Sequence, residues 1–258
     1  MDLLTSGADI GPAGFLILGA IAFFGSILGG ISSFGAGLIV TPFLMPVVGV
    51  KAVVPVISVA MTIGNLSRFW VYRHQVDMPT VLKIMVPALP TVIIGTLIYD
   101  LLPQRELAIM IGLFLLVSIP LRRSFAKRAV TPTAGVVVGF SGVFGLISGA
   151  LPGGGVVLMP LLLGLGLVRG AIVGTDAVIG AAVNVIKIGM FGKLDLINQE
   201  LLIAGVLVGL CMVPGAYGAR WLIDRLHVRV HTAIIEVLVV FSGLSFIWTG
   251  LAGWNTGA

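Results

Sequence analysis

The sequence predicts an all-α polytopic membrane protein of two inverted repeats, with about eight full transmembrane helices and two short, broken segments spanning half the membrane. Three observations predict it. Hydrophobic residues make up 58% of the 258 residues and charged ones only 10%, with a mean hydropathy of +1.18, whereas a soluble domain carries about a quarter charged residues. The apolar runs are long and continuous and do not alternate at strand length, so the spans are helices. The second half of the chain also repeats the first.

In chain order, long apolar runs cover residues 13–31, 52–72, 80–101 and 106–121, then 132–150, 170–191, 199–221 and 231–251. The leading MDLLTSGADIGPAG has no basic stretch, so the first run reads as a span and not as a cleaved signal. Two further runs, 36–48 and 154–167, are too short to cross as ordinary helices, which need about 20 residues. The polar stretch RRSFAKRAVTPT (122–133) separates the halves. The expected organisation is a first repeat over 1–121, a basic cytoplasmic linker over 122–131 and a second repeat over 132–258.

The repeat is visible in the residues. GAGLIVTP (35–42) matches GGGVVLMP (153–160), with Gly35/Gly153, Gly37/Gly155 and Pro42/Pro160 identical. NLSR (65–68) then matches NVIK (184–187), and QVD (75–77) matches KLD (193–195). Charge sets the orientation. If each short segment completes a crossing, giving five per half, and the linker is cytoplasmic, 11 of the 15 Lys and Arg fall inside. If each dips in and returns, the split is 9 to 6. The excess of positive charge on cytoplasmic loops favours the first arrangement. An odd number of crossings per half inverts the second repeat.

Glycine breaks are the first candidate chemistry. GGISSFGAG (29–37) and GALPGGG (149–155) interrupt hydrophobic sequence at matching positions. Free N–H groups at a helix start favour an anion, and glycine lets a ligand approach the backbone. Gly35, Gly37, Gly153, Gly154 and Gly155 are therefore candidate substrate-binding positions, with the hydroxyls of Ser32 and Ser33 added in the first break. The second break offers backbone donors alone. The competing explanation is close helix packing through small residues, which is the preferred reading for isolated glycines such as Gly139 and Gly205.

Arg68 and Lys187 are the second element. Each lies inside an apolar run, three residues after an Asn and at matching repeat positions. A cation within a span costs about 2.5–3.5 kcal/mol at the helix centre and marks a functional site by default. As a symmetric pair they favour substrate binding, although each alone is compatible with snorkelling toward the interface. Asn65 and Asn184, one turn earlier, can donate to an oxyanion or clasp a neighbouring helix. Asp176 is the one acid well inside a predicted span: a possible coupling residue, or, slightly preferred, an acid at a helix end. Direct pairing with Lys187 within one straight helix is disfavoured by about three turns of separation. Asp77 and Asp195 match between the halves and are expected to cap the helices that follow. His74, His227 and His231 lie at span edges, and Trp70, Trp221 and Trp248 fit an aromatic belt.

Nothing points to an enzyme. There is no metal-ligand cluster, phosphate-binding loop or Cys–His pairing, so neither a metal nor a cofactor is expected. The formal charge of +5 orients loops and does not imply nucleic-acid binding, and the single Cys211 excludes an internal disulfide.

Two halves of about 120 residues, each with a Gly-rich break followed by apolar residues and proline, resemble the TauE/SafE sulfite exporter family, also called the toluene-sulfonate uptake permease family. The residues that carry this are SSFGAGLIVTP (32–42) with its Asn-x-x-Arg helix and GALPGGGVVLMP (149–160) with its Asn-x-x-Lys helix. Many members have a fuller glycine triplet where this chain has Gly35-Ala36-Gly37. The resemblance covers residues 14–251 and implies a multi-pass transporter of the bacterial inner membrane. Its partners would be the lipid bilayer and a small sulfur-containing anion, sulfite or an organosulfur anion such as a sulfonate, with a homo-oligomer possible. The reading is a secondary transporter, an exporter, working by alternating access. The alternatives are a passive anion channel or uptake permease for another small anion, and a non-catalytic subunit of a membrane complex.

Overall fold

The computed structural model describes residues 35–125, 132–168, 170–223 and 228–252, together with 19, 20, 22 and 23. Among these the secondary structure is helical. The helices are α1 (Gly35–Val48), α2 (Val50–Tyr72), α3 (Met78–Leu101), α4 (Gln104–Phe125), α5 (Ala134–Ala150), α6 (Gly155–Gly164), α7 (Gly170–Lys193), α8 (Gln199–Ile223) and α9 (Val228–Ala252), with a 3₁₀ turn at Arg73–Gln75.

Two short helices sit where the short apolar runs were expected. At about 1.5 Å per residue, neither α1 (14 residues) nor α6 (10 residues) reaches across a bilayer core of about 30 Å. Each ends beside a left-handed glycine, Gly49 with φ 78° and Gly166 with φ 84°. That conformation is costly for any residue with a Cβ, so glycine sets both corners. Lys51 Nζ donates to Asp100 O (3.1 Å), and the Tyr99 hydroxyl lies 3.3 Å from Val50 O and 3.2 Å from Lys51 O. The first corner is thereby tied to the end of α3.

Among the described residues four segments are long and apolar enough to cross a membrane: Val50–Gln75, Met78–Leu101, Gln104–Leu121 and Gly170–Lys193. Helices α8 and α9 run 25 residues each, with apolar stretches at Gln199–Gly215 and Glu236–Ala252. The 132–150 run forms α5, of only 17 residues, because Pro152 and Gly153 follow immediately. The 13–31 run lies almost wholly outside the described residues. Helix α4 continues to Phe125, into the stretch assigned to the linker. There Arg123 Nε donates to Glu236 Oε1 (3.1 Å), joining α4 to α9. The side-chain hydrogen bond to Glu236 holds the Arg123 guanidinium above its ordinary pKa.

Packing follows an exchange pattern. Helix α2 packs on α7 and α8, while α7 packs on α2 and α3; α4 packs on α9. Swapping α2 with α7, α3 with α8 and α4 with α9 leaves these pairings unchanged. One apolar cluster includes Val40, Val53, Ile111, Leu115, Met212 and Phe246. A second includes Ile84, Val92, Phe144, Leu161 and Ile179. Large apolar side chains also face outward, among them Leu82, Val86, Leu113, Phe241 and Trp248, as a bilayer requires.

Helices α3 and α5 meet through glycine. A Cβ at Gly149 would lie 2.2 Å from Val92 O, and one at Gly95 would lie 2.2 Å from Leu146 O. Gly205 is packed in the same way against Val59 and Val56 O, whereas among the described residues nothing lies within 4 Å of a Cβ at Gly139. The packing explanation therefore holds for Gly205, and no described neighbour supplies it at Gly139. Gly149→Val is expected to destabilise by about 1–3 kcal/mol or more through overpacking, and Gly139→Val far less. Thermal unfolding of the two variants in detergent checks the difference.

The matched aspartates behave differently from expectation. Asp77 stands at the N-terminus of α3, but its Oδ2 accepts from the Thr80 hydroxyl (2.7 Å) and caps no backbone N–H. Asp195 adopts φ 55° in the turn before α8. Asn198 Oδ1 caps that helix, accepting from Leu201 N–H (2.9 Å). The cap thus belongs to the residue three places nearer the helix. Trp70 and Trp248 are exposed, as a belt requires, and His74 lies exposed in the 3₁₀ turn. His227 and the side chains of Trp221 and His231 lie outside the described residues.

Candidate anion site

A cavity of about 80 Å³ lies between the two apolar clusters. Helix α2 lines it with Ile57, Met61, Asn65 and Arg68, and α7 with Asp176, Gly180, Val183, Asn184 and Lys187. Spacings of three and four place each set on one helical face, which is why Asn-x-x-cation brings amide and charge together. Gly37 of α1, Phe144 and Ser148 of α5, Leu151 to Gly154 of the second break, and Gly155 and Leu158 of α6 complete the wall.

The two cations are buried, Arg68 being 7% and Lys187 2% exposed, so neither snorkels out. Arg68 Nη2 donates to Asn65 Oδ1, and Arg68 Nη1 lies 3.8 Å from Asp176 Oδ2. Asp176 is the seventh residue of α7 and is 8% exposed. It is not a helix-end acid, because it faces Arg68 across the α2–α7 contact. That contact is close: a Cβ at Gly180 would lie 2.6 Å from Asn65 Nδ2. Lys187 is placed by apolar packing. Its Nζ lies 6.0 Å from the Phe191 ring centroid, and Phe191 in turn packs on Tyr99 at 5.3 Å. Among the described residues Lys187 has no carboxylate partner and Asn184 no hydrogen bond.

The second break presents its backbone to the cavity. Gly153 takes φ 84° and Gly154 a right-handed helical conformation. Val156 N–H and Val157 N–H donate to Gly153 O (3.2 Å) and Gly154 O (2.9 Å). Among the described residues it is thus the Gly154 and Gly155 N–H groups that are left without a backbone acceptor, and they and the helix dipole favour negative charge. A hydroxyl missed in the sequence reading joins them. Ser148, one residue before GALPGGG, is buried and lines the cavity, and its Oγ has no hydrogen-bond partner among the described residues. The expectation of backbone donors alone in this break is corrected accordingly. The available signal was a serine one turn before the proline, on the cavity face of α5.

Of the first break, Gly37 reaches the cavity and Gly35 begins α1. Ser32 and Ser33 lie outside the described residues. The cavity therefore gathers Gly37, Asn65, Arg68, Gly153, Gly154, Gly155, Asp176, Asn184 and Lys187 of the expected residues. Such a lining can hold a small oxyanion through two cations, two amides, a hydroxyl and a helix start. Among the described residues, no three His, Cys, Asp or Glu side chains come together as metal ligands.

Residues 18–246 match the family model described as Sulfite exporter TauE/SafE. No curated protein and no solved structure matches the chain.

Proposed function

The chain belongs to the TauE/SafE sulfite exporter family, a family of membrane transporters, and from that premise we propose that it exports sulfite or a closely related small sulfur oxyanion across the bacterial cytoplasmic membrane by alternating access. One observation carries the reading: Asn65 and Arg68 of α2 and Asn184 and Lys187 of α7 line one cavity against the Gly153–Gly155 helix start. Two buried cations line the cavity with one carboxylate, Asp176; the excess buried positive charge is costly, and a substrate anion offsets it. The exchange pattern among the helices supports a plan of two equivalent repeats. The excess of positive charge assigned to the cytoplasmic side favours their inversion, an arrangement in which one half rocks against the other around a central site.

In the measure in which one water takes about 10–15 Å³, a cavity of about 80 Å³ holds about five to eight waters, which leaves room for a small sulfur oxyanion and its remaining hydration. In proteoliposomes, radiolabelled sulfite is expected to move with saturable kinetics, and excess unlabelled sulfite to suppress the flux. Flux that rises linearly with concentration would point to a passive channel and refute the carrier.

A further inference from the structure

We propose that Asp176 is the resident counter-ion of Arg68, displaced by a dianionic substrate only when a proton neutralises its carboxylate, so that anion and proton cross together. The inference rests on reading the cavity as the anion site.

The geometry sets up a competition. Asp176 Oδ2 lies 3.8 Å from Arg68 Nη1, and both side chains line the cavity. An anion drawn to Arg68 therefore approaches a carboxylate of like charge. Counting the charged residues on the described lining, Arg68 and Lys187 contribute +2 and Asp176 −1, leaving +1. A dianion would take the site to −1 with Asp176 ionised, but to zero with Asp176 protonated. Buried uncompensated charge is strongly disfavoured, so the neutral combination is the one that binds.

Among the described lining residues Asp176 is the carboxylate, and so the group whose protonation removes a negative charge from the cavity. From α2, Arg68 and Asn65 face Asp176, with Tyr72 at the end of the helix packed on Gly174. Helices α5 and α6 contain no titratable residue. On α7 itself Lys187 is three turns away, and the 3₁₀ turn holds Arg73 and His74 at the exposed surface. Asp77 is an acid held against this part of α7. Its N–H donates to Thr175 Oγ1 (3.0 Å), but its carboxylate accepts from the Thr80 hydroxyl.

The step balances. A proton from water binds an Asp176 oxygen, the ion pair with Arg68 breaks, and the guanidinium takes an anion oxygen in its place; release at the far side reverses each event. The pair carries a net charge of −1, so an inside-negative potential drives it outward, in keeping with export.

The experiment is equilibrium binding of radiolabelled sulfite to purified protein from about pH 6 to about pH 9, wild type against Asp176→Asn. Sulfite's own titration is common to both proteins and cancels in their ratio. The expected result is tighter binding by Asp176→Asn, with the wild-type to variant Kd ratio rising toward tenfold per pH unit where Asp176 is ionised. A ratio independent of pH overturns the coupling. If Asp176→Asn does not fold, calorimetry of the wild type near pH 9, in two buffers of different ionisation heat, replaces it. Sulfite is then fully ionised, and uptake of about one proton per anion is expected; uptake of none overturns the proposal. Absence of sulfite binding by the wild type at every pH overturns the transport reading itself. Binding with a flat ratio overturns the coupling alone.

Discussion

Lys187→Gln is expected to lower sulfite transport in proteoliposomes by about two orders of magnitude or more while raising the thermal stability of the purified protein. The two effects come from one cause. In the structure the ammonium is buried at 2% exposure, and no carboxylate faces it among the described residues. An ion held that way costs stability, and glutamine removes the cost while keeping much of the volume. Transport moves the other way, because removing one member of a desolvated, hydrogen-bonded charge pair costs about 2–5 kcal/mol, and about 2.7 kcal/mol is a hundredfold. A lysine that merely propped the fold would lose transport and stability together. Scanning calorimetry or a fluorescence melt beside the flux assay separates the cases. Wild-type transport by Lys187→Gln would remove Lys187 from the site.

Arg68 is expected to behave as the converse. Arg68→Gln leaves Asp176 buried without the guanidinium 3.8 Å away, and breaking a buried pair from one side typically costs about 3–5 kcal/mol. Transport and stability should fall together. Adding Asp176→Asn removes the stranded carboxylate, so the double variant should regain much of the stability and none of the transport. Symmetry in sequence thus becomes asymmetry in energetics. The two cations occupy equivalent repeat positions, yet one carries its own counter-ion and the other awaits a ligand.

That asymmetry marks where sequence reading ends. The membrane class, the helices and the short segments at 36–48 and 154–167 were legible because length and hydropathy are local properties. Asn-x-x-Arg and Asn-x-x-Lys were legible because a three-residue spacing fixes one helical face. The Arg68–Asp176 pair was not, because 108 residues separate its members (176 − 68) and nothing in either segment states that α2 and α7 cross at Asn65 and Gly180. Asp176 read as a helix-end acid only because Arg169 precedes it closely. Ser148 was not legible for a related reason: a serine or threonine in an apolar run usually bonds its own helix, as Thr41, Ser58 and Thr96 do here. Asp195 matches Asp77 in sequence, but the positions share no role: each connection spans five residues (73–77 and 194–198), and Asp77 stands last in the first while Asp195 stands second in the other.

Gly154→Ala is expected to be among the most damaging single-methyl changes in the chain, with transport reduced at least tenfold and the melting temperature lowered. Gly154 has φ −55° and ψ −19°, a conformation alanine adopts freely, so any penalty is steric and not backbone strain. The added Cβ would lie 1.8 Å from Ser148 Oγ and 2.8 Å from Ser148 Cβ. Relief by rotating the hydroxyl does not move the Cβ, so the start of α6 must shift away from α5, carrying its N–H groups out of line with Arg68 and Lys187. The collision names its own suppressor. Ser148→Gly removes both clashing atoms, so Gly154→Ala with Ser148→Gly should melt well above Gly154→Ala alone. Transport should return only in part, because the cavity hydroxyl is now gone. One net hydrogen bond is worth about 0.5–1.5 kcal/mol, which sets the residual deficit at roughly two- to tenfold. Ser148→Ala in the native background should show that same modest deficit with no loss of stability, since its Oγ has no partner among the described residues to leave behind. Should Gly154→Ala transport and melt like the wild type, the close approach of α5 to the α6 start would not set the site. The glycines of the second break would then serve helix packing alone.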